Sequence, residues 1–570
     1  MSPEAAPSVD VDVVVIGSGF GGSVAALRLV EKGYSVVVLE RGKRWRPEDF
    51  PRTNWNARKS LWLPAAKCFG ILRLSFLSDV FVLSGSGVGG GSLVYANTLY
   101  VPPAAFFANA HVSRDELLPF YRRAQFMLGV TQNRADGEPD RVLAAVARGL
   151  GRERSFIRTP IAVYLGDRDT PPGTRAPDPY FGGAGPARST CTLCGGCMVG
   201  CRFDAKNTLD KNYLFFAEKL GAEIRPMRTV TDVRAVPGGY EITHVTTGAY
   251  VAKQRETLRC RKVVMAAGVL GTVQLLLESR DRGSLPNLSP ALGRTVRTNS
   301  EAILGVKSRR PRGPYDRGVA ISSSIHPSDD THVEVVRYSA GSDALATLGT
   351  LLTDGGGRVP RWLRFVGRAV RHPLQLALSL WPFGTAKRGI YLLVMQTLDN
   401  SIALRLRRRW SRLWRRALDT ETPPGAGVPS YIPLGNEVAR AFAREVDGVA
   451  QSSILEVLFD VPTTAHILGG ACVADAPERG VVDRAHEAFG HPGLYVVDGA
   501  AVPANLGVNP SLTITAMSER AMSLIPPKPG ASPRTAIDPT WEAARIAELD
   551  ARATQLANDS LQDTTQPPPP

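Results

Sequence analysis

Gly17, Gly19 and Gly22 stand in G-x-G-x-x-G spacing within DVVVIGSGFGGSVAALRLVEKGYSVVVLE (residues 12–40), which points to phosphate binding. Gly17 permits a tight turn, Gly19 lets the backbone approach a pyrophosphate, and Gly22 allows close packing of a helix on a strand. Phe20 and Gly21 fall on the first helical turn, whose free N–H groups face the phosphates. Glu40 ends the second strand, where a carboxylate can accept hydrogen bonds from ribose hydroxyls. An acid rather than an arginine there argues against NADP and leaves NAD and FAD both open. A second telling spacing is CTLCGGCMVGC, where Cys191, Cys194, Cys197 and Cys201 follow the C-x2-C-x2-C-x3-C pattern of ferredoxin-type ligands. Arg202 stands where such runs usually carry proline. An iron–sulfur cluster, a zinc site and a set of redox thiols all remain open, whereas a cytosolic disulfide framework does not suit the spacing. Cys68, Cys260 and Cys472 are isolated and read as structural.

Residues this far apart need a scaffold assembled from distant segments. LSGSGVGGGSLVYANTLY (83–100) is a second Gly-rich loop, suited to close backbone approach to a flat ligand. Ser113 and Glu116 have capping-box spacing at the start of a helix. KVVMAAGVLGTVQLLLES (262–279) repeats the strand, glycine turn and helix. EAILGV, GVAISSSI, THVEVVRY, GIYLLVMQTL and SIALRLRRRW then contain alternating or β-branched runs expected of strands. The expected fold class is therefore α/β: a Rossmann-like domain built from discontinuous segments, with an inserted α+β domain on a mainly antiparallel sheet. The segments divide as dinucleotide-binding parts at 1–100, 221–300 and 461–525, a cap with the cysteine cluster at 101–220, and a substrate domain at 301–460. Residues 526–570, rich in Pro, Ala and Thr and ending in PPPP, read as a disordered tail.

The 570 residues suit two to four domains, and 44% hydrophobic with 21% charged residues is ordinary for a large globular core. No apolar run reaches the roughly 18 residues of a membrane span. The acidic N-terminus enters the first strand without an export signal, so a cytoplasmic location is expected.

The motifs GSGFGGSVAALRL, GSGVGGGSLVYANTLY, DPYFGGAGPAR, MAAGVLGT, AHILGG and GVNPSLTITA together resemble the glucose–methanol–choline (GMC) oxidoreductases, within them the cholesterol oxidase branch of mycobacterial type. The resemblance runs from residue 10 to about 525 and implies non-covalently bound FAD. It implies that Phe20, Gly21 and Glu40 hold the adenosine and pyrophosphate, and that Val230 lies on the strand whose backbone reads adenine. It puts Gly91, Tyr95, Ala96 and Asn97 beside the isoalloxazine, with Tyr95 departing from the usual Asn. It places Gly499, Asn509 and Ser511 on the segment that closes over the flavin.

Oxidising a secondary alcohol requires loss of the hydroxyl proton as hydride leaves carbon, and an imidazole suits that proton near neutral pH. With GG following it and the GVNP segment downstream, His466 in AHILGG is the expected acid–base group, and Asn509 its partner on the substrate oxygen. Glu334, in THVEVVRY, matches the acid that in sterol oxidases moves a proton from C4 to C6, turning a 5-ene-3-ketone into the conjugated 4-ene-3-ketone. The function implied is FAD-dependent oxidation of a 3β-hydroxysterol, with oxygen as acceptor. Two alternatives are a dehydrogenase passing electrons through the cysteine cluster to another acceptor, and a flavin-bearing lipid-binding protein.

The formal charge of +15 is localised: residues 358–416 hold fourteen Lys or Arg against one acid, Asp399. Arg361, Arg364, Arg368 and Arg371 recur at helical spacing between Trp362, Phe365, Val366, Ala369 and Val370. Such a basic amphipathic helix fits peripheral contact with an anionic membrane, where an insoluble sterol would be collected. LRLRRRWSRLWRR alternates like a strand hairpin. No nucleic-acid signature accompanies the charge, and no nucleic-acid partner is expected.

Overall fold

The Val/Ile/Leu runs at Val11–Ile16 and Val36–Leu39 are buried along their whole length, as a parallel sheet covered on both faces demands. The computed structural model, which describes residues 9–249, 254–408, 416–423 and 427–563, places both in a seven-stranded sheet. Its order is Glu223–Arg225, Val36–Leu39, Val11–Ile16, Arg255–Met265, Gly239–Thr246, Arg228–Val236. Arg255–Met265 joins the parts. Its first half pairs antiparallel with Gly239–Thr246, and its last half pairs in parallel with Val11–Ile16 and with Leu494–Val496. Strands from both ends of the chain thus share one sheet. Helix Phe20–Glu31 packs on helix Ser511–Ser523, where Arg28 forks onto Glu519 at 2.8 and 2.9 Å. Losing either partner of so buried a pair costs roughly 3–5 kcal/mol.

The second seven-stranded sheet is antiparallel throughout. It runs Gly349–Leu351, Gly448–Ser453, Ala302–Ser308, Gly389–Gln396, Thr331–Val336, Ile321–Ser328, Ile157–Arg158. Period-two alternation splits Thr331–Val336 between two sides: Val333 and Val335 enter the core beneath helix Pro433–Glu445, so His332 and Glu334 face the other way. Ala403–Arg408 lies outside this sheet and pairs, among the described residues, with Arg416–Glu421; residues 409–415, more than half of the stretch LRLRRRWSRLWRR expected to form a hairpin, lie outside the described residues.

Two expectations are corrected. The C-terminal stretch is not a loose tail over its described length. Helix Pro539–Asp563 forms there, with Trp541 Nε1 donating to Tyr180 O at 3.0 Å and ion pairs Arg123–Glu542 and Arg122–Asp550 at 3.0 and 2.6 Å. Its apolar Ile546 and Leu549 pack on the main core, which composition averaged over a Pro-rich segment concealed. Helix Arg361–Arg371 also forms, but two of its four arginines turn inward while Arg371 stays exposed. Arg361 is 8% exposed and donates to the carbonyls of Thr353 and Ser430, and Arg364 donates to those of Asp354 and Gly355. The apolar residues Trp362, Leu363, Val366 and Val370 point outward instead.

Candidate active site

A cavity of about 630 Å³ runs from the first glycine turn, past the Ala266–Gly271 turn, to His466 and Asn509. Gly17, Gly19, Phe20, Gly21, Glu40, Gly91, Tyr95, Ala96, Val230, Gly499, Asn509 and Ser511 all lie on its wall. Gly22 does not; it packs the helix against the turn, since a Cβ there would stand 2.1 Å from Gly17 O. Gly21 does the same between the two ends of the chain, a Cβ standing 2.1 Å from Val497 O. Asn97 lies behind the wall, buried, with φ of 59° and neither amide atom partnered among the described residues. Tyr95 presents its ring edge-on to Phe20, 5.5 Å between centroids, while its hydroxyl turns away to Asn207 O. Glu40 accepts from Ser18 N, Ser18 Oγ and Gly42 N, which fixes the carboxylate and leaves lone pairs for a further donor.

The residues present fit a dinucleotide. No side chain caps helix Phe20–Glu31, so its first-turn N–H groups are left for an anion. A Cβ on Gly19 would meet nothing within 4 Å, so the backbone opens directly on the cavity.

At the far end, four segments converge. Val296–Arg297 pairs with Leu468–Gly469, bringing the turn before strand Ala302–Ser308 alongside the segment that carries His466. Asn299, at φ 61°, ties that turn to a third segment: its Nδ2 donates to Val508 O, and its Oδ1 accepts from Leu506 N and Gly507 N. Two residues on is Asn509. The sequence reading missed Asn299 and, more importantly, Glu301. Glu301 is fully buried, and its Oε2 accepts from Thr464 Oγ1 at 2.9 Å and Ala465 N at 3.0 Å. His466 Nδ1 stands 3.1 Å from the same oxygen, an ion-pair distance but off the line of a hydrogen bond. Burial pulls the imidazole down, but the Glu301 carboxylate, with a smaller push from Glu334, outweighs it and leaves His466 above the ordinary histidine value. An acid opening an apolar strand was the only available signal for Glu301, and many surface strands carry one.

Glu334 is fully buried but does not line the cavity. It stands behind Asn509, whose Nδ2 donates to Glu334 Oε2 at 3.2 Å, while Glu334 Oε1 and Asn509 Oδ1 have no partner among the described residues. Burial, only partly offset by Asn509 and His466, pushes Glu334 up to about 8, so it holds its proton at neutral pH. Asp498, also missed, accepts from Gly268 N, Thr272 Oγ1 and Ala500 N and clamps the second glycine turn to the C-terminal segment.

The metal expectation finds no support in the structure. Cys191, Cys194, Cys197 and Cys201 line one pocket of about 20 Å³, yet no group of three or more His, Cys, Asp or Glu among the described residues is placed to hold a metal ion. The loop is held by its backbone instead, Gly195 N donating to Gly318 O and Gly318 N to Leu193 O. Burial pushes the Cys191 and Cys197 thiols up, Cys197 to about 12. All seven cysteines are free.

Comparison with known proteins agrees with this geometry. An FAD binding domain model matches residues 12–47, and a GMC oxidoreductase model matches residues 387–518. The chain is 48% identical to a cholesterol oxidase of Mycobacterium tuberculosis over 95% of this chain and 97% of the relative. It is 45% identical to one of Acinetobacter baumannii over 91% and 95%. Among solved structures, pyridoxine 4-oxidase from Mesorbium loti superposes with a TM-score of 0.60 at 15% identity, over 90% of this chain and 99% of that one, a likeness of fold. With the uncapped glycine turn at one end of the cavity and His466 and Asn509 at the other, the chain belongs to the GMC oxidoreductase family, FAD-dependent oxidoreductases acting on CH–OH groups.

Proposed function

We propose that this enzyme oxidises the 3β-hydroxyl of a sterol to the ketone and passes the electrons to oxygen. The observation that carries the reading is the pairing of His466 with Glu301 and of Asn509 with Glu334 at the end of a cavity whose other end is the glycine turn. The relatives printed as cholesterol oxidases support the substrate class. So does the apolar lining that Ile303, Ile321, Val336, Leu345, Leu348 and Leu393 give the cavity.

Bound FAD supplies the two-electron acceptor for the hydride leaving the carbinol carbon. With Nδ1 at Glu301, His466 has Nε2 left to accept the hydroxyl proton, and the imidazolium formed stands beside a carboxylate. Asn509 orients the substrate oxygen. Glu334 is the shuttle that takes the C4 proton of the first-formed ketone and returns it at C6. Its place behind Asn509 means the amide must swing aside for this second step.

The apolar outer face of helix Arg361–Arg371 continues into Leu374, Leu380, Trp381 and Phe383, with Val370 at 75% and Leu374 at 85% exposure. Phe383 stacks on Trp55, next to Asn54 on the cavity wall, so this face borders the cavity mouth. We read it as the surface that meets a sterol-bearing membrane through apolar contact more than through charge. No described helix is long and apolar enough to cross a membrane.

Anaerobic mixing of flavin-loaded protein with cholesterol in detergent tests the reading. Flavin bleaching that recovers promptly on admitting air supports a sterol oxidase. Bleaching without recovery supports a dehydrogenase, and no bleaching overturns the sterol assignment.

A further inference from the structure

We propose that Glu301 is a positioning residue for the alcohol oxidation, holding His466 in the orientation and charge state from which it accepts the hydroxyl proton; this rests on the role given to His466 above. The geometry has three parts. Glu301 is fully buried, and its Oε2 is fixed from two sides by Thr464 Oγ1 and Ala465 N, so the carboxylate cannot turn away from the ring. His466 is fixed in turn by its own backbone N–H, which donates to Thr464 Oγ1 at 2.9 Å, so Thr464 braces both partners. The second oxygen of Glu301, Oε1, has no partner among the described residues although it is buried. An unpartnered buried oxygen is costly unless the group is retained for another reason. Glu301 also lies on the cavity wall, in the site rather than behind it.

A carboxylate at Nδ1 does two things for the imidazole. It favours the tautomer with the proton on Nδ1, leaving Nε2 as the lone-pair nitrogen for substrate. It also stabilises the imidazolium formed once the proton is taken, as a buried acid does for other histidine bases. The titratable groups that act on His466 are Glu301 and Glu334. Their effects differ in kind. Glu334, pushed up to about 8, holds its proton at pH 7, and Glu301 is the larger of the two influences that raise the ring.

Glu301→Gln, which keeps shape and removes charge, separates this role from a merely structural one. The chain has eight histidines, so the ring signal of His466 in flavin-loaded, 13Cε1-histidine-labelled protein is identified by its loss in His466→Asn. In Glu301→Gln the titration midpoint of that signal should fall by about one to three units, the size of effect a neighbouring opposite charge exerts. With cholesterol in detergent, kcat should drop by about 10²-fold, KM should stay within threefold, and the acid limb of kcat/KM should move to lower pH. Should the Gln variant fail to load FAD, Glu301→Asp retains the charge but draws it back, and should give a midpoint between that of the parent and an ordinary histidine. An unmoved midpoint and an unmoved acid limb overturn the proposal, whatever happens to turnover. The titration reads Glu301 without turnover, so a parent enzyme inert toward cholesterol would fail the sterol reading and leave this test standing.

Discussion

Two clusters of polar side chains differ in burial and still more in consequence: Glu301, Glu334 and Asn509 are buried, whereas of the four clustered cysteines Cys197 alone is. Glu301, Glu334, His466 and Asn509 come from four separate segments and meet through the Val296–Gly469 pairing and the Asn299 tie. Polar atoms are left unpartnered there among the described residues, at one end of a cavity of about 630 Å³. Cys191, Cys194, Cys197 and Cys201 come from one short loop, line a pocket of about 20 Å³, and form no metal-holding group. In the first cluster the Glu301 carboxylate outweighs burial to hold His466 above its ordinary value, and burial pushes Glu334 up to about 8; in the second, burial is the largest cause pushing Cys191 and Cys197 up. Chemistry follows convergence on open space, and close spacing in the chain is a poor guide to it.

Apart from loss of His466 itself, the largest effect expected from breaking the first cluster is Glu334→Gln. Isomerisation should fall at least 10²-fold while alcohol oxidation stays within tenfold, so the unconjugated ketone accumulates; conjugated ketone appearing at the parent rate would remove Glu334 from the shuttle role. Because abstraction needs the carboxylate, isomerisation in the parent enzyme should climb with pH and level off above about 8. The same proton affects stability. The unfolded chain releases it near 4.5 and the native state only near 8, so the stability this group contributes below 4.5 is lost as pH rises through that window. The melting temperature of Glu334→Gln, minus that of the parent, should therefore increase between pH 5 and 8; a constant difference contradicts a raised native value.

Asn509→Leu comes next. It deletes one hydrogen bond to a charged or developing-charge partner, worth about 1.5–3 kcal/mol, so kcat/KM should drop roughly 10- to 150-fold with FAD retained. A change below threefold would make Asn509 a packing residue. Smaller again is the surface: Trp381→Ser with Phe383→Ser should slow oxidation of vesicle-embedded cholesterol several-fold and leave detergent-dispersed cholesterol unaffected. Equal slowing in both would place the damage in the cavity. Least change is expected from the cysteines, and iron, sulfide and zinc in anaerobically purified protein should all be well below one per chain. A full equivalent would show that the thiols gather around an ion.

What could be read from the chain beforehand follows the same division. The glycine turn was legible because strand, turn, helix and terminal acid all lie within Asp12–Glu40, and the α/β class followed from the alternating runs behind it. His466 and Asn509 were legible only through motif resemblance. Glu301 and Asn299 were not, since their roles arise from the pairing of Val296–Arg297 with Leu468–Gly469, a contact across some 170 residues that no local pattern encodes. The N-terminal part of helix Arg361–Arg371 was misread because spacing reveals that arginines share a face, while the carbonyls of Thr353 and Ser430 decide that Arg361 turns inward.

The central claim is that the converged cluster performs the oxidation and the cysteine loop does not. Its most direct test is the rate at which cholesterol bleaches the flavin without oxygen, in a stopped-flow comparison of His466→Ala with the Cys194→Ser, Cys197→Ser double variant, both loaded with FAD. The account predicts a loss of 10²–10⁴-fold in the first and less than threefold in the second. Near-parent bleaching in His466→Ala, or a collapse in the double variant, would contradict it.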